Sequence, residues 1–198
     1  MIDISVLEKY DKPYVLELGC GGRKRVQGSI GIDILDLPGV DINGDVIEVL
    51  LSFKDSSVSE IHSHHFFEHV DDLDGLFKQI DRVLISGGTL HTTVPHFSNP
   101  YYYSDYTHKT HFGLYSFNYF FKSDYFTRKV PQYGNQYFYN IESVSLVFKS
   151  PRPFYIRWAL KKFFTFWVNY NSSTKEFYEE NLTYIIPCYE IIFKLKKI

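Results

Sequence analysis

Cysteine is scarce in this chain of 198 residues, which holds only Cys20 and Cys188. Two cysteines so far apart make neither a disulfide framework nor a metal-binding spacing, so the sequence predicts a protein of the reducing cytoplasm. A strong net charge is also missing. The formal charge is −2, whereas nucleic-acid-binding proteins usually carry a basic excess, so we expect no nucleic-acid partner.

Long hydrophobic runs are absent too. No run approaches the roughly 18 apolar residues that a transmembrane helix requires, and the acidic Asp3 and Glu8 argue against a signal peptide. The most apolar stretch is "FYIRWALKKFFTFWVNY" at 154–170, whose only charged residues are basic. We interpret it as a buried packing helix. The alternative is a helix at a membrane surface, where basic and aromatic residues are favoured, so peripheral membrane contact stays open.

The chain is instead rich in aromatic residues, at 19%, and in histidine, with all eight histidines between His62 and His111. The stretch "HSHHFFEHV" at 62–70 places four histidines and a glutamate in nine positions. Imidazole binds transition metals and titrates near neutral pH. This stretch therefore indicates a metal site, a proton-transfer site or a structural role, and its place in the fold has to decide among them.

Short apolar runs closed by turns recur along the chain and predict strands. They lie at 14–19, 29–35, 40–45, 58–65 and 88–95. Residues 71–84 have apolar side chains at helical spacing and acidic residues at the start, which predicts an amphipathic helix. This alternation predicts an α/β fold in a single domain, residues 1–198, whose parallel sheet binds ligand at the carboxyl ends of its strands.

The later part of the chain breaks this pattern. Residues 96–136 are aromatic and rich in turn residues, which predicts a lid over the sheet edge that also receives the acceptor. Residues 139–148 are strand-like, residues 151–182 form an additional helical segment, and "CYEIIFKLKKI" ends the chain as a closing strand.

Glycines follow the first predicted strand in "LELGCGGRKR". A dinucleotide-binding loop, G-x-G-x-x-G, would need its third glycine where Lys24 stands, so binding of NAD fits poorly. The acidic-x-Gly-x-Gly pattern from Glu17 to Gly21 instead resembles the first motif of class I S-adenosylmethionine-dependent methyltransferases. Further matches follow in order, with "GIDI", "NGDV" and "RVLISGGTLHTTVP" resembling the segments at the second, third and fifth strands.

The resemblance implies a Rossmann-like class I sheet, mostly parallel with an antiparallel closing strand. It implies S-adenosylmethionine as the cofactor, with Asp33 on the ribose hydroxyls and Asp45 and Val46 beside the adenine. The implied cofactor-binding residues are Glu17, Gly19, Cys20, Gly21, Asp33, Ile34, Asp45, Val46 and His64.

The segment after the glycine loop departs from the usual pattern. Only nine residues, "GRKRVQGSI", separate Gly21 from Gly31, so we expect the first helix to be reduced to a turn. This compact form resembles small methyltransferases of bacterial surface-polysaccharide gene clusters, in which S-H-V-L-E-H and V-P-H…D-x-T-H recur. The matching stretches here are "HHFFEHV" and "VPHFSNPYYYSDYTHKTHFG". The resemblance implies O-methylation of a sugar, sugar nucleotide or other cell-surface polysaccharide precursor.

The histidine stretch has its own precedent within this superfamily. His65, Glu68 and His69 are spaced to share one face of the following helix. Small-RNA terminal 2′-O-methyltransferases and ubiquinone-pathway O-methyltransferases carry Glu-x-x-Glu-His here and bind a divalent metal. By this resemblance the metal ligands are His65, Glu68, His69 and the downstream His108, and imidazole in place of carboxylate favours Mn²⁺, Fe²⁺, Co²⁺ or Zn²⁺.

Alternatives remain open at this site. Glu68, His69 and His108 could instead act as metal-free catalytic residues, or the stretch could only pack the fold. Two other functions compete with a methyltransferase: a metal-dependent hydrolase that uses the histidines, and a catalytically silent methyltransferase-like binding module. The sequence fixes neither the acceptor, nor the metal, nor the oligomeric state.

Overall fold

A computed structural model describes residues 3–134, 136–150 and 153–198. The predicted domain, lid and helical segment also extend over Met1, Ile2, Asn135, Pro151 and Arg152, which lie outside the described residues. The strands are β1 (Tyr14–Leu18), β2 (Ile30–Asp33), β3 (Ile42–Asn43), β4 (Val58–His64), β5 (Leu84–Pro95), β6 (Tyr139–Val147) and β7 (Glu190–Lys197). The α-helices are α1 (Val46–Leu51), α2 (Leu73–Val83), α3 (Tyr155–Val168) and α4 (Ser172–Asn181).

All seven strands form one sheet in the order β3-β2-β1-β4-β5-β7-β6. The pairs from β3 to β5 are parallel, whereas β7 is antiparallel to both β5 and β6. This is the Rossmann-like class I sheet with an antiparallel closing strand, so the predicted fold class is confirmed. Residues 19–29 form turns and bends rather than a helix, as the short spacing there predicted.

The two N-terminal helices are held by side-chain caps. Asp72 accepts the backbone N–H of Gly75 at the start of α2, which buries Leu76, Phe77 and Ile80 on its apolar face. The short helix α1 was not predicted. Asp45 caps it by accepting two backbone N–H groups of the first turn.

Much of the predicted lid, residues 96–136, lies in the hydrophobic core. Its buried side chains include Tyr102, Phe112, Leu114, Phe117, Phe121 and Phe126. The Phe117 ring lies 4.7 Å from that of Phe193 in β7, measured between centroids. Residues 112–126 therefore complete the core beside the closing strand, and a mobile lid stays a prediction for the rest of the segment.

The interpretation of residues 154–170 as a buried helix is wrong. The helix α3 forms, but only Val168 of it is buried. Its apolar side chains point outwards, with Ile156 81%, Phe163 73% and Phe166 73% exposed. Among the residues that the structure describes, no helix combines the length and apolar character needed to cross a membrane.

Candidate cofactor and acceptor site

The glycine loop lies at the carboxyl edge of the sheet, directly after β1. Gly19 and Gly21 have left-handed backbone angles, with φ of 64° and 59°, which only glycine adopts without strain. A Cβ at Gly19 would come within 2.6 Å of the Phe66 ring, whereas a Cβ at Gly21 would meet nothing within 4 Å. The loop thus packs on the histidine stretch below and is open above Gly21, as a bound cofactor requires.

Asp33 ends β2 beside this loop. Its Oδ2 accepts the backbone N–H of Gly21 at 2.8 Å, and its Oδ1 accepts the N–H of Leu35 at 2.9 Å. Each carboxylate oxygen has further acceptor capacity, and the side chain is partly exposed. Asp33 therefore fits the ribose diol of S-adenosylmethionine and also fixes the glycine loop.

Glu17, which the resemblance assigns to cofactor binding, bonds to the glycine loop itself. It is buried, and its carboxylate accepts the backbone N–H groups of Arg25 and Val26 and the hydroxyl of Ser29. These bonds shape the loop from beneath. Cys20 is also buried, and burial together with nearby Asp33 raises the pKa of its thiol to about 11.

The predicted cofactor-binding residue Ile34 and the two predicted adenine neighbours, Asp45 and Val46, lie at the β2 and β3 end of the edge. Ile34 is 69% exposed, so its side chain is free to cover a ligand. The carboxylate of Asp45 accepts backbone N–H groups in the first turn of α1. The side chain of Val46 lies in the core and is 5% exposed. Contact of Val46 with adenine would have to use its backbone.

The histidine stretch does not open a long helix, so the prediction that three of its side chains share one helical face is wrong. β4 ends at His64, His65 adopts a left-handed φ of 53°, and Phe67–His69 form a single 3-10 turn. The next α-helix starts only at Leu73. Such a strained non-glycine residue is common at functional sites.

This turn places His65 between two carboxylates. Its Nδ1 lies 3.1 Å from Oε1 of Glu68, and its Nε2 lies 3.2 Å from Oε2 of Glu190. Burial disfavours the charged ring, but hydrogen bonds to Glu190 and Glu68 outweigh it and raise the pKa of His65 to about 9. Burial opposes ionisation of Glu190, yet bonds from His65 and Lys149 lower its pKa to about 2. His65 is therefore an imidazolium at neutral pH.

Glu68, His69 and His108 come together next to this ion pair. One ligand-type atom from each lies within 4.8 Å of the other two. The Glu68 side chain is 1% exposed, and its buried Oε2 has no hydrogen-bond partner among the described residues. A buried oxygen of this kind is costly unless it receives a proton, a ligand or a metal.

Neighbouring groups fix the tautomers of the two histidines. Thr107 gives its hydroxyl proton to Asp105 at 2.6 Å, so it accepts from Nδ1 of His69 at 3.0 Å. Nδ1 of His108 lies 2.9 Å from the carbonyl of Tyr102, which can only accept. In the neutral rings Nε2 of both histidines therefore carries the lone pair.

Comparison with known proteins agrees with this geometry. Residues 16–92, from β1 into β5, match the family described as a methyltransferase domain. No curated protein sequence matches the chain. The fold and the match over residues 16–92 together support an S-adenosylmethionine-dependent methyltransferase.

Solved structures share the fold at low identity. A SAM-dependent methyltransferase from Archaeoglobus fulgidus has a TM-score of 0.54 and 17% identity over 93% of this chain and 86% of its own. A Haloferax volcanii protein in complex with the Trm112 methyltransferase activator has a TM-score of 0.52 and 14% identity, covering 97% and 86%. The YcgJ protein of Bacillus subtilis has a TM-score of 0.51 and 15% identity, covering 93% and 91%. Neither a hydrolase nor a silent module is favoured.

Several residues of the candidate site were missed by the sequence analysis. Glu190 and Lys149 complete the ion pair of His65, and Phe66 supports the glycine loop. Glu190 had a detectable signal, because an antiparallel closing strand starts at the edge where the parallel strands end. His96 follows β5 directly, but it is fully buried, with Nε2 2.9 Å from Glu179, and is structural.

One cavity of the structure lies away from this site. It measures about 960 Å³ and is lined by residues at the amino end of β6, including Asn140 and Ile141, and by residues 121–125. Parallel α/β sheets bind ligands at the carboxyl ends of their strands. We therefore assign the site by its chemistry at that edge and not by cavity volume.

Proposed function

We propose that this methyltransferase methylates a hydroxyl oxygen of a sugar, sugar nucleotide or other cell-surface glycan precursor. The observation that carries the proposal is the buried, unpartnered Oε2 of Glu68 beside His69 and His108. A sugar hydroxyl is a weak nucleophile until its proton is removed, so its methylation needs a proton acceptor at the reacting oxygen. The glycan class is supported by the resemblance of "HHFFEHV" and "VPHFSNPYYYSDYTHKTHFG" to polysaccharide-cluster enzymes.

Different residues would bind the cofactor and accept the proton of the acceptor. The cofactor supplies a methyl group on a sulfonium, which is the electrophile. Asp33 and the loop above Gly21 would hold its nucleoside part. Nε2 of His69 or Oε2 of Glu68 would take the proton of the acceptor hydroxyl, and the adjacent imidazolium of His65 would hold the Glu68 carboxylate in place through its Oε1.

A divalent metal is a second proposal for the same cluster. Glu68, His69 and His108 each offer one ligand-type atom within 4.8 Å of the other two, a donor set that suits Mn²⁺, Fe²⁺, Co²⁺ or Zn²⁺, and Nε2 of His108 also lies 3.6 Å from Oδ2 of Asp105. His65 fits poorly as a ligand, because both its ring nitrogens face carboxylates. A metal bound there would act as a Lewis acid towards the acceptor.

Cofactor binding is tested at Asp33. We expect Asp33→Ala to weaken binding of S-adenosylhomocysteine by about 2 kcal/mol in calorimetry, the scale of a lost charge-assisted hydrogen bond. Because Asp33 also holds Gly21, Asp33→Asn is the second variant, since it keeps an acceptor for that N–H. The control is Asp36→Ala, an exposed acidic residue three positions on. Equal affinity in wild type and both Asp33 variants would remove Asp33 from the cofactor site.

The acceptor class is tested by following an isotope-labelled methyl group from the cofactor to the product. Protein is incubated with methyl-labelled S-adenosylmethionine and a set of nucleotide sugars, and the products are separated. We expect label on a sugar oxygen, identified by mass spectrometry and by the chemical shift of the methoxy carbon. A protein that binds S-adenosylhomocysteine but labels a nitrogen-containing acceptor and no sugar would overturn the O-methylation proposal and leave the cofactor assignment standing.

A further inference from the structure

A second cavity, of about 330 Å³, has in its wall Lys149, which pairs with Glu190 at 2.7 Å. Its walls come from the end of β6, from α3 and from the segment that leads into β7. The side chains used below are Tyr101, Lys149, Arg157, Lys161 and Tyr189. None of the predicted cofactor-binding residues lines this cavity, and neither do Glu68, His69 and His108.

Positive charge dominates the cavity wall. Lys149 pairs with Glu190 at 2.7 Å, but Glu190 already pairs with the His65 imidazolium. Arg157 donates to the hydroxyl of Ser150, and Lys161 donates to the carbonyl of Lys149, each at 2.7 Å. Within the described part of the chain, neither has an acidic side chain at ion-pair distance. Burial and the neighbouring Arg157 lower the pKa of Lys161, as expected for cations that lack a counter-ion.

Aromatic rings form the rest of the wall. The rings of Tyr101 and Tyr189 meet edge to face with centroids 6.4 Å apart, and the Lys149 ammonium lies 4.4 Å from the Tyr189 centroid. Cations beside aromatic faces suit a ligand that joins an anionic group to a sugar or base ring. Lys149 and Glu190 link this wall directly to His65 at the methyl-transfer edge.

We propose that this cavity binds the phosphate or diphosphate group of the acceptor, which makes the acceptor a phosphorylated hydroxyl compound. The proposal rests on the proposed methyl transfer and narrows its substrate class. An anion bound to Arg157 and Lys161 would neutralise the excess positive charge of the wall. It would also keep the adjoining sugar beside Glu190 and His65. The phosphate could belong to a soluble nucleotide sugar or to a lipid-linked precursor, because the recognised chemistry is the same.

The probe is inorganic pyrophosphate, titrated by calorimetry into full-length protein saturated with S-adenosylhomocysteine. We expect binding to wild type and a loss of at least tenfold in the Arg157→Gln, Lys161→Gln double variant. Lys162→Gln is the matched control, because it makes the same charge change on the same helix and lies outside the cavity lining. The single variant Arg157→Gln, at an exposed side chain, serves if the double variant does not fold.

The outcomes separate this proposal from the proposed function. Equal losses in Lys162→Gln and the double variant would show general charge attraction and overturn the subsite, as would no pyrophosphate binding to wild type. If S-adenosylhomocysteine binds in either case, the methyltransferase assignment survives. Displacement of pyrophosphate by uridine diphosphate glucose indicates a soluble acceptor, whereas displacement only by vesicles that contain a polyprenyl phosphate indicates a lipid-linked one.

The outer face of α3 carries an independent proposal. Its large apolar side chains are turned away from the core, with Tyr155 65%, Ile156 81%, Leu160 64%, Phe163 73% and Phe166 73% exposed. Contiguous exposed apolar surface of this kind marks an interaction site. Between Tyr155 and Val168 the helix has no acidic residue, and of its three basic residues Lys162 lies outside the cavity lining, whereas Arg157 and Lys161 also line the cavity.

We propose that this face binds a membrane surface that contains anionic lipid. Aromatic side chains flanked by basic ones match the interface between head groups and acyl chains, and the absence of acidic residues complements negative lipid. A second copy of the chain would bring like charges together, so it is the disfavoured occupant.

Flotation with phosphatidylglycerol–phosphatidylcholine vesicles tests the face. We expect wild type to float with the vesicles and Phe163→Ser, Phe166→Ser to remain unbound, while Tyr133→Ser, Phe138→Ser floats as wild type does. The control pair removes two exposed aromatic residues outside α3. Failure of wild type to bind vesicles would overturn the proposal, above all if light scattering showed a dimer that the Phe163 and Phe166 changes dissolve.

Discussion

Three clusters among the described residues combine one glutamate with two histidines; one of them is the His65 ion pair with His64 and Glu190, and the other two differ in burial of the glutamate. The rim cluster is Glu68, His69 and His108, and the mid-sheet cluster is Glu60, His62 and His91. In each cluster the ligand-type atoms lie within 4.8 Å of one another. The Glu68 side chain is 1% exposed, whereas that of Glu60 is 48% exposed.

This difference decides what each cluster can do. Oε2 of Glu60 lies 3.0 Å from Nε2 of His62, and the rings of His62 and His91 stack with centroids 4.7 Å apart. Water can solvate that carboxylate, so it has no need of another partner. The buried carboxylate of Glu68 has an oxygen that neither the described chain nor bulk water satisfies. Burial at the carboxyl edge makes the rim cluster a candidate site.

The strongest test exchanges one carboxylate in each cluster for its amide. We expect Glu68→Gln to lower methyl transfer at least 100-fold, the lower range for losing a general base, because the amide keeps the shape but cannot take a proton. Glu60→Gln should stay within about twofold of wild type. Turnover is measured as release of S-adenosylhomocysteine with the nucleotide sugar that accepts label. Equal losses in the two variants would erase the proposed distinction between the clusters.

Metal affinity gives the next largest contrast. If the rim cluster holds a metal, His69→Ala and His108→Ala should each weaken binding of Mn²⁺ or Zn²⁺ at least tenfold, since each removes a direct ligand. His62→Ala and His91→Ala should leave the affinity unchanged. Calorimetry on protein purified without a histidine tag measures this without any acceptor. Full methyl transfer by metal-free protein in the presence of chelator would leave Glu68 and His69 as proton acceptors alone.

The sequence predicted the sheet well, because its strands are short apolar runs closed by glycine or acidic residues and because spacing within a strand fixes which face a side chain takes. It predicted the closing strand β7 from the same pattern. Asp33 and the glycines could be placed at the edge because they end or follow strands. These inferences depend only on local order along the chain.

The sequence did less well where distant segments meet. The left-handed turn at His65 has no local signal, so the predicted helix face was wrong there. Glu190 reaches His65 across 125 positions of sequence, and no spacing rule connects them. The apolar composition of α3 indicated burial. In the structure, however, Phe112, Phe117 and other residues of the predicted lid occupy the core instead. The sequence cannot show which of two apolar segments takes the core.

The smallest expected effect is a change in the stability of the folded protein with pH. It comes from the protonation of His91 in the mid-sheet cluster. Burial lowers the pKa of His91, and the nearby His62 and Lys194 lower it further, against opposition from Glu60 and Glu142. The folded protein therefore resists a proton that the unfolded chain accepts below its own pKa of about 6.5. Stability from the neutral ring is fully present above that pH and is lost as the pH falls below it.

The measurement is urea unfolding of wild type and His91→Gln at about pH 7.5 and pH 5.5, on either side of that unfolded-state pKa. Glutamine does not titrate, so the variant should lose less stability than wild type between the two conditions. The effect should be modest, because the His91 ring is only half-buried and water screens its charge. A wild-type protein that instead gains stability relative to the variant at the lower pH would mean that Glu60 and Glu142 dominate. His91 would then be an imidazolium in the folded protein. The exposure of the Glu60 carboxylate would no longer be enough to explain how the mid-sheet cluster differs from the rim cluster.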